Sequence, residues 1–305
     1  MKTVLALLTV TLAEATIGVF VKLVSDDVPI LALNFYRVLF ATVFLAIALA
    51  VTGKKFWKFP DHNARDVLLI AALIGSQISL YNWAISLTTI ANAVVFWSIA
   101  PFFVFIFSWA FLDEPAKKQY VLIFLVAFLG LFIAEPFGGG HVTGNLIALL
   151  TGAVYAGAIT YMRHEGKEET GTDVFWYLLI AVVYLLPGIF ISGTGPITEI
   201  SKHGLFGLPV PIIFWAVCLG VISTGLAYFF ISVVLRTVSA NVYSLVDIIV
   251  SPLVAALLGY LVLAEVPSVE LVYGGVLLLG SGFWLTRAMS QAEKKKMPPP
   301  TSNPR

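Results

Sequence analysis

Charge is scarce in this 305-residue sequence: Asp, Glu, Lys and Arg make up 11% of the residues, against about 25% in a typical soluble domain. Hydrophobic residues account for 59%. This balance excludes an ordinary soluble fold and predicts a multi-pass membrane protein. Since 18 basic residues nearly match 17 acidic ones, the net charge gives no reason to expect a nucleic-acid partner.

Residues that carry out familiar enzyme chemistry are also missing. Cys218 is the single cysteine, so no intramolecular disulfide can form. The sequence contains no H-E-x-x-H, no G-x-S-x-G, no P-loop and no Cys/His cluster with metal-ligand spacing. We therefore expect a protein that is not an enzyme and that holds no cofactor and no metal.

Apolar windows of about 20 residues, the length that crosses a bilayer, occur ten times along the chain. Backbone inside lipid must satisfy its own hydrogen bonds, so each window is expected to be a transmembrane helix. The first window resembles a signal peptide around Ala13-Glu14-Ala15, but its apolar run continues to Val24, which favours a spanning helix. The predicted spans are 3–24, 29–51, 66–86, 90–112, 117–135, 144–162, 173–192, 210–235, 240–263 and 267–288.

Basic residues are distributed unevenly between the two sides of the predicted bundle. All of the 18 Lys and Arg residues except Lys22, Arg37 and Lys202 fall in segments on one side. Because cytoplasmic segments are enriched in Lys and Arg, both termini are predicted to be cytoplasmic and the protein to lie in the cell membrane. Residues 289–305, which carry three consecutive lysines and three consecutive prolines, are expected to form a disordered cytoplasmic tail.

An internal repeat relates the two halves of the sequence. Thr88 to Ala93 and Thr237 to Val242 both fit T-x-x-A-N followed by a small apolar residue, and each is followed by a proline and an acid thirteen residues apart. The copies begin five spans apart, and five is odd, so their membrane orientations must be opposite. We expect two inverted five-helix repeats, residues 1–136 and 144–288, around a central cavity near the midplane.

Two charges at matching depth stand out within the first two spans. Glu14 and Arg37 both lie about 12–14 Å below the outer surface at 1.5 Å per residue, so they could pair. One interpretation is a fixed ion pair between helices. The other is that at least one of them faces a water-filled cavity and exchanges its partner for substrate or a proton.

Further polar and aromatic residues within spans are candidates for the same cavity. Asp247 is a second candidate charge carrier, although Arg236 lies close enough along the chain to pair with it. For each of the remaining candidates taken singly, interhelical packing or hydrogen bonding is favoured over a place in the cavity lining. The predicted lining residues are Asn34, Tyr81, Asn82, Trp97, Tyr155, Tyr177 and Asn241.

The duplicated unit, the sequence Asn34-Phe35-Tyr36-Arg37 and the acids that end spans four and nine, Glu114 and Glu265, make the chain resemble the drug/metabolite transporter superfamily. The resemblance is to the ten-span branch with two EamA domains. It implies transport of small organic metabolites, such as amino acids, or of amphipathic drugs, often outward. Glu14 is similar to the proton-coupled glutamate of small multidrug resistance proteins, but span six has no matching acid. Proton coupling therefore stays open here.

Three hypotheses follow from these observations. The first is a secondary transporter, an exporter by alternating access, coupled to protons through Glu14, with Arg37 as its partner or as a carboxylate anchor. The second is an uncoupled facilitative transporter in which Glu14 and Arg37 form a static pair. The third, of another class, is a non-transporting membrane scaffold or a lipid-processing enzyme.

Overall fold

The computed structural model describes residues 2–112, 118–134, 141–165, 170–205, 208–234 and 240–296. Within these ranges it contains helices and no strands, which confirms the predicted all-α membrane fold. Every predicted span corresponds to one helix or to two or three consecutive ones. The helices are α1 (Lys2–Ala15), α2 (Ile17–Ser25), α3 (Ile30–Val51), α4 (Ala64–Leu87), α5 (Ile90–Trp97), α6 (Ala100–Phe111), α7 (Lys118–Ala134), α8 (Val142–Glu165), α9 (Gly171–Ser192), α10 (Ile212–Gly220), the π-helix Val221–Leu226, α11 (Ala227–Val234), α12 (Ala240–Leu263) and α13 (Val269–Lys296).

Seven helical stretches in the described part of the chain are long and apolar enough to cross a membrane. They include α3, α4 and α9, each a single helix of 22 to 24 residues. Shorter apolar stretches lie within the other three predicted spans, at Leu122–Ala134, Val250–Leu263 and Val269–Leu285. We refer to the side of residues 26–29, 88–89 and 264–268 as the outer side, following the charge prediction.

Three spans are interrupted near their middles. The first is divided at Thr16, the fourth at Ser98 and Ile99, and the eighth by the π-helix. Pro101 explains the second of these, because it has no N–H to donate to the carbonyl of Trp97 one turn earlier. Pro187 and Pro252 do not divide their spans, because each lies inside a helix that continues on either side of it, α9 and α12 respectively.

The carboxyl-terminal helix is longer than expected. α13 continues to Lys296, so residues 289–296 are helical and are not part of a disordered tail as predicted. Ala, Gln, Met, Glu and Lys dominate this stretch, and all five are good helix formers. Residues 297–305 lie outside the described part of the structure.

The two halves of the sequence interlock throughout the bundle. α7 packs against α13, α3 against α9, and α5 against α12. α4, the third span, packs against α8, the sixth. The eighth span packs against the first in the same way, with α10 on α2 and α11 on α1. The core therefore consists largely of contacts between the first five spans and the last five.

Candidate functional site

Arg37 is the centre of a buried polar cluster. Its side chain is 4% exposed. Its Nε donates a hydrogen bond of 2.9 Å to Oγ1 of Thr224, and its Nη1 donates to Oδ1 of Asn82. Asn82 in turn donates from Nδ2 to Oδ1 of Asn34, at 2.7 Å. A guanidinium taken out of water costs several kcal/mol unless its donors are satisfied, and these contacts use two of its five N–H donors.

Close packing of α3 on the eighth span brings Thr224 to Arg37. A Cβ at Gly220 would lie 2.5 Å from Cβ of Phe40 and 2.8 Å from the Arg37 carbonyl oxygen. At Gly225 it would lie 2.7 Å from Cδ1 of Phe44. Glycine is thus required at both positions for the two backbones to approach this closely. The close approach places the π-helix directly beside Arg37.

The π-helix presents two hydroxyls toward the first half of the chain. Thr224 Oγ1 donates to the carbonyl of Leu219, five residues earlier, at 3.3 Å, while accepting from Arg37. Ser223 Oγ lies 2.7 Å from Oγ1 of Thr16. Thr16 Oγ1 also donates to the Ala13 carbonyl at 2.6 Å, so its single proton is used there and Ser223 is the donor. Two of the three helix interruptions are therefore hydrogen-bonded to each other.

Glu14 lies two residues before Thr16 in the sequence, half-buried in α1. It interacts electrostatically with Arg37 and with Tyr228 of α11, and Tyr81 of α4 also interacts with Arg37. The structure thus brings the predicted pair Glu14 and Arg37 into one electrostatic cluster. Both hydrogen bonds described for Arg37 nevertheless end on neutral groups, a hydroxyl and an amide.

Three of the predicted lining aromatics contact one another in one row, with their ring planes tilted. The ring centroids of Tyr81 and Trp97 are 5.9 Å apart, and those of Trp97 and Tyr155 are 5.6 Å apart. Among the described residues, Nε1 of Trp97 is a buried indole nitrogen without a hydrogen-bond partner. Its N–H is a donor in need of an acceptor. Gly152 of α8 packs beside the Trp97 carbonyl, where a Cβ would come within 3.0 Å.

The other predicted site residues are placed elsewhere or lie outside the description. Tyr177 is 1% exposed and belongs to the apolar core formed by α3, α4 and α9. It is not part of the aromatic row. The side chains of Asn241 and Asp247 lie outside the described part of the structure, as does the neighbouring Arg236.

Sequence analysis missed four residues of the cluster: Thr16, Ser223, Thr224 and Tyr228. A usable signal existed for two of them, because Ser223-Thr224-Gly225 is a small polar run in an otherwise apolar span. Hydroxyls in spans usually bond to their own helix, however, as Thr42 does to the Val38 carbonyl. The π-helix, which turns these hydroxyls toward α1 and α3, has no comparable sequence signal.

A separate groove lies at the inner end of the bundle, in the loop between α3 and α4 and the start of α9. Its volume is about 440 Å³. Asp173 in its wall accepts hydrogen bonds from the backbone and side chain of Thr170, in a capping box. Neither Arg37 nor Trp97 lines this groove. In the described part of the chain, no group of three or more His, Cys, Asp or Glu side chains is arranged to hold a metal ion.

Comparison with known proteins gives consistent results over the whole length of the chain. The sequence model of the "EamA-like transporter family" matches residues 1–134 and 142–287. The pseudopaline exporter CntI of Pseudomonas aeruginosa is 25% identical over 277 residues, covering 90% of this chain and 92% of that protein. A riboflavin transporter of Brucella anthropi is 22% identical over 269 residues, covering 85% and 89%.

One solved crystal structure has the same fold as this protein. It superposes with a TM-score of 0.61 at 17% sequence identity, and the match covers 97% of this chain and 99% of that one. At this identity the likeness concerns the fold alone.

Proposed function

The chain belongs to the EamA-like transporter family, and from that premise we propose that this transporter exports small organic metabolites by alternating access, coupled to protons through Glu14. The observation that carries the proposal is the cluster of half-buried Glu14 with buried Arg37 and Thr224, beside two interrupted spans. Charged groups within spans are costly and in transporters mark the pathways of substrates and protons. Discontinuous helices near the midplane are a common way to build such sites.

The proton-coupling step follows from how Arg37 is held. Its described hydrogen bonds reach the Thr224 hydroxyl and the Asn82 amide, both neutral. Protonation of Glu14 would therefore change the charge of the cluster and leave these two hydrogen bonds of Arg37 in place. A carboxylate near a guanidinium and in partial burial is subject to opposing influences on its proton affinity. Arrival of a charged or polar substrate can shift that balance.

The aromatic row suggests the chemistry of the substrate. Planar or conjugated groups stack favourably on rings such as those of Tyr81, Trp97 and Tyr155. The indole N–H of Trp97, which lacks an acceptor in the described structure, suits a substrate oxygen. Relatives named as a pseudopaline exporter and a riboflavin transporter agree with a small organic molecule. We therefore propose a substrate with a planar portion and a hydrogen-bond acceptor.

Packing between the halves supports alternating access. Each span of one half has an equivalent span in the other half, five spans away. Three of the observed pairs join such equivalent spans: α5 packs on α12, α3 on α9 and α7 on α13. The third span, α4, packs on the sixth, α8, and the equivalent spans of the opposite halves, the eighth and the first, also pack on each other. Exchangeable contacts of this kind are what two inverted repeats require in order to rock about a central site.

The test begins with purified protein and a thermal-shift screen against riboflavin, amino acids, nucleosides and cationic dyes, because a ligand of the folded state raises its apparent stability. Proteoliposomes are then given a pH gradient, and flux of the stabilising compound is compared for wild type and Glu14→Gln. Glu199→Gln, at an exposed carboxylate of the loop between α9 and α10, is the matched control.

The expected result is that the pH gradient drives flux in wild type and in Glu199→Gln but not in Glu14→Gln. Equal gradient-driven flux in Glu14→Gln would remove the role assigned to Glu14. Flux in the wild type that ignores both pH and membrane potential would instead identify uncoupled transport, with Glu14 and Arg37 acting as a static pair.

A further inference from the structure

The carboxylate of Glu265 caps a helix that belongs to the other half of the protein. Glu265 lies in the outer turn between α12 and α13, and its Oε2 accepts a hydrogen bond of 2.8 Å from the backbone amide of Ile90. Ile90 is the first residue of α5. The first amides of a helix have no partner within it, and a negative charge is favoured there.

The same helix start is also capped locally. Oγ1 of Thr89 accepts a hydrogen bond of 3.1 Å from the amide of Asn92. The T-x-x-A-N motif of the first half and the acid that follows the motif of the second half therefore meet at one helix terminus. Each half supplies one of the two oxygen atoms that accept from the start of α5: Thr89 Oγ1 comes from the first half and Glu265 Oε2 from the second.

Side-chain packing beneath this cap is equally close. Ile90 is fully buried. A Cβ at Gly18 of α2 would lie 2.5 Å from its Cγ2, and a Cβ at Gly259 of α12 would lie 3.5 Å from its Cβ. Ile90 therefore lies between two glycines on helices from opposite halves. No larger residue fits at Gly18 without moving Ile90, which is β-branched and has little freedom to rotate.

Two further features hold Glu265 in place. Lys22 of α2 interacts electrostatically with it, so the first half supplies a cation as well as an amide. Ala264 immediately before it has φ +55°, and it is the single non-glycine residue with positive φ in the described structure. Residues other than glycine adopt this conformation at a cost, and such strain is retained where the surroundings require it.

We propose that Glu265 is a positioning residue for transport, an outer latch that holds α5 and α2 of the first half against α12 of the second. Opening of the central site to the outer side breaks the bond between Glu265 and Ile90. The inference rests on the proposed alternating access, since a latch has a function only if the outer side opens. The salt bridge between Lys202 and Asp27, 3.0 Å long, joins the halves on the same side. The pKa of Lys202 is raised by this hydrogen bond to Asp27.

A reporter cysteine beneath the latch tests this role without any substrate. Ala255 is 4% exposed and lies one turn inward of Gly259, on the same face of α12. Ala255→Cys is introduced after Cys218→Ala, and intact cells are treated with a membrane-impermeant maleimide. Glu265→Ala is expected to increase the labelling rate about tenfold or more, as loss of a charge-assisted hydrogen bond implies. Glu199→Gln is expected to leave the rate unchanged.

Two more variants separate the latch from a general loss of structure. Glu265→Gln keeps an acceptor oxygen for the Ile90 amide and should restore most of the protection. Gly18→Ala leaves the carboxylate intact but displaces Ile90, and should increase labelling as Glu265→Ala does. Each variant is checked for an unchanged elution profile in size-exclusion chromatography.

Equal labelling of Ala255→Cys with and without Glu265 would overturn the latch, as would rapid labelling when the latch is intact. These outcomes do not depend on the flux assay. If wild-type protein transported nothing while the labelling changed as expected, the proposed function would fail and the contact would remain an outer closure.

Discussion

Replacing Gly220 by Ala should separate α3 from the eighth span and break the polar cluster. The new Cβ would lie 2.5 Å from Cβ of Phe40, 2.8 Å from the Arg37 carbonyl oxygen and 3.1 Å from the Ala41 amide nitrogen. Two of these three contacts are with backbone, which cannot rotate away. Restoring ordinary contact distances requires the helices to move apart by roughly 1 Å.

The cost can be estimated from the contacts that are lost. Overpacking of a core contact costs about 1–3 kcal/mol. A shift of about 1 Å would also lengthen the 2.9 Å bond from Arg37 Nε to Thr224 beyond hydrogen-bonding range, at about 1.5–3 kcal/mol for a charged donor. Ala is favoured over Gly in a helix by about 1 kcal/mol. The net destabilisation is therefore about 1.5–5 kcal/mol.

Thermal unfolding of purified protein in detergent measures this effect. Gly220→Ala should lower the apparent Tm by at least about 3 °C, taking about 2 °C per kcal/mol for a chain of this size. Gly280→Ala is the matched control, because a Cβ at Gly280 of α13 would meet nothing within 4 Å. It should leave Tm unchanged or raise it. If the two variants behaved alike, Gly220 would not be required for the helix approach.

Two other substitutions test neighbouring features. Asn82→Leu removes the acceptor of Arg37 Nη1 and should destabilise the protein by about 1–3 kcal/mol or more, because a buried charged donor is left unpaired. Asn82→Asp keeps this acceptor and loses only the hydrogen bond that Asn82 donates to Asn34, so it should destabilise less. A Tm as high for Leu as for Asp would contradict this. Ala264→Gly removes the steric cost of the left-handed conformation at φ +55° and should stabilise the protein by about 0.5–1 kcal/mol. This figure is the steric cost removed minus the free energy lost because glycine gives the unfolded chain more conformational entropy. A Tm below that of wild type would show that Ala264 is unstrained.

The spans were predictable from sequence because hydrophobicity alone specifies them. A helix such as α4 needs about 20 apolar residues and a polar boundary at each end, and both are visible in the sequence. The interruptions were harder to predict. Pro101 predicts the break in the fourth span through its missing N–H, but Pro252 lies in a helix that remains continuous. Whether a proline interrupts a helix depends on how its neighbours pack, which no local pattern encodes.

The site was predictable in part, for a similar reason. Glu14 and Arg37 stand out because charge within a span is rare, and depth counting predicted that they lie near each other. The partners that hydrogen-bond to Arg37 follow instead from tertiary contacts. Thr224 reaches Arg37 because Gly220 and Gly225 let α3 approach and because a π-helix turns the hydroxyl toward it. Counting residues from the membrane surface predicts the depth of a side chain, but it does not predict the direction in which the side chain points around the helix axis.

In the polar cluster, both charged side chains come from the first half of the chain, and these contacts suggest a physical reason. The first half supplies Glu14 and Arg37, and the second supplies the neutral hydroxyls of Ser223 and Thr224. If the two halves move relative to each other, the hydrogen bonds described between them in the cluster, from Arg37 to Thr224 and between Ser223 and Thr16, end on neutral hydroxyls, while Glu14 and Arg37 remain together on the first half. Breaking a buried ion pair costs about 3–5 kcal/mol, a hydrogen bond from a charged donor to a neutral acceptor about 1.5–3 kcal/mol, and a neutral hydrogen bond about 1 kcal/mol. With both charges in one half, the proposed movement of the halves would therefore meet a lower barrier than if an ion pair joined them.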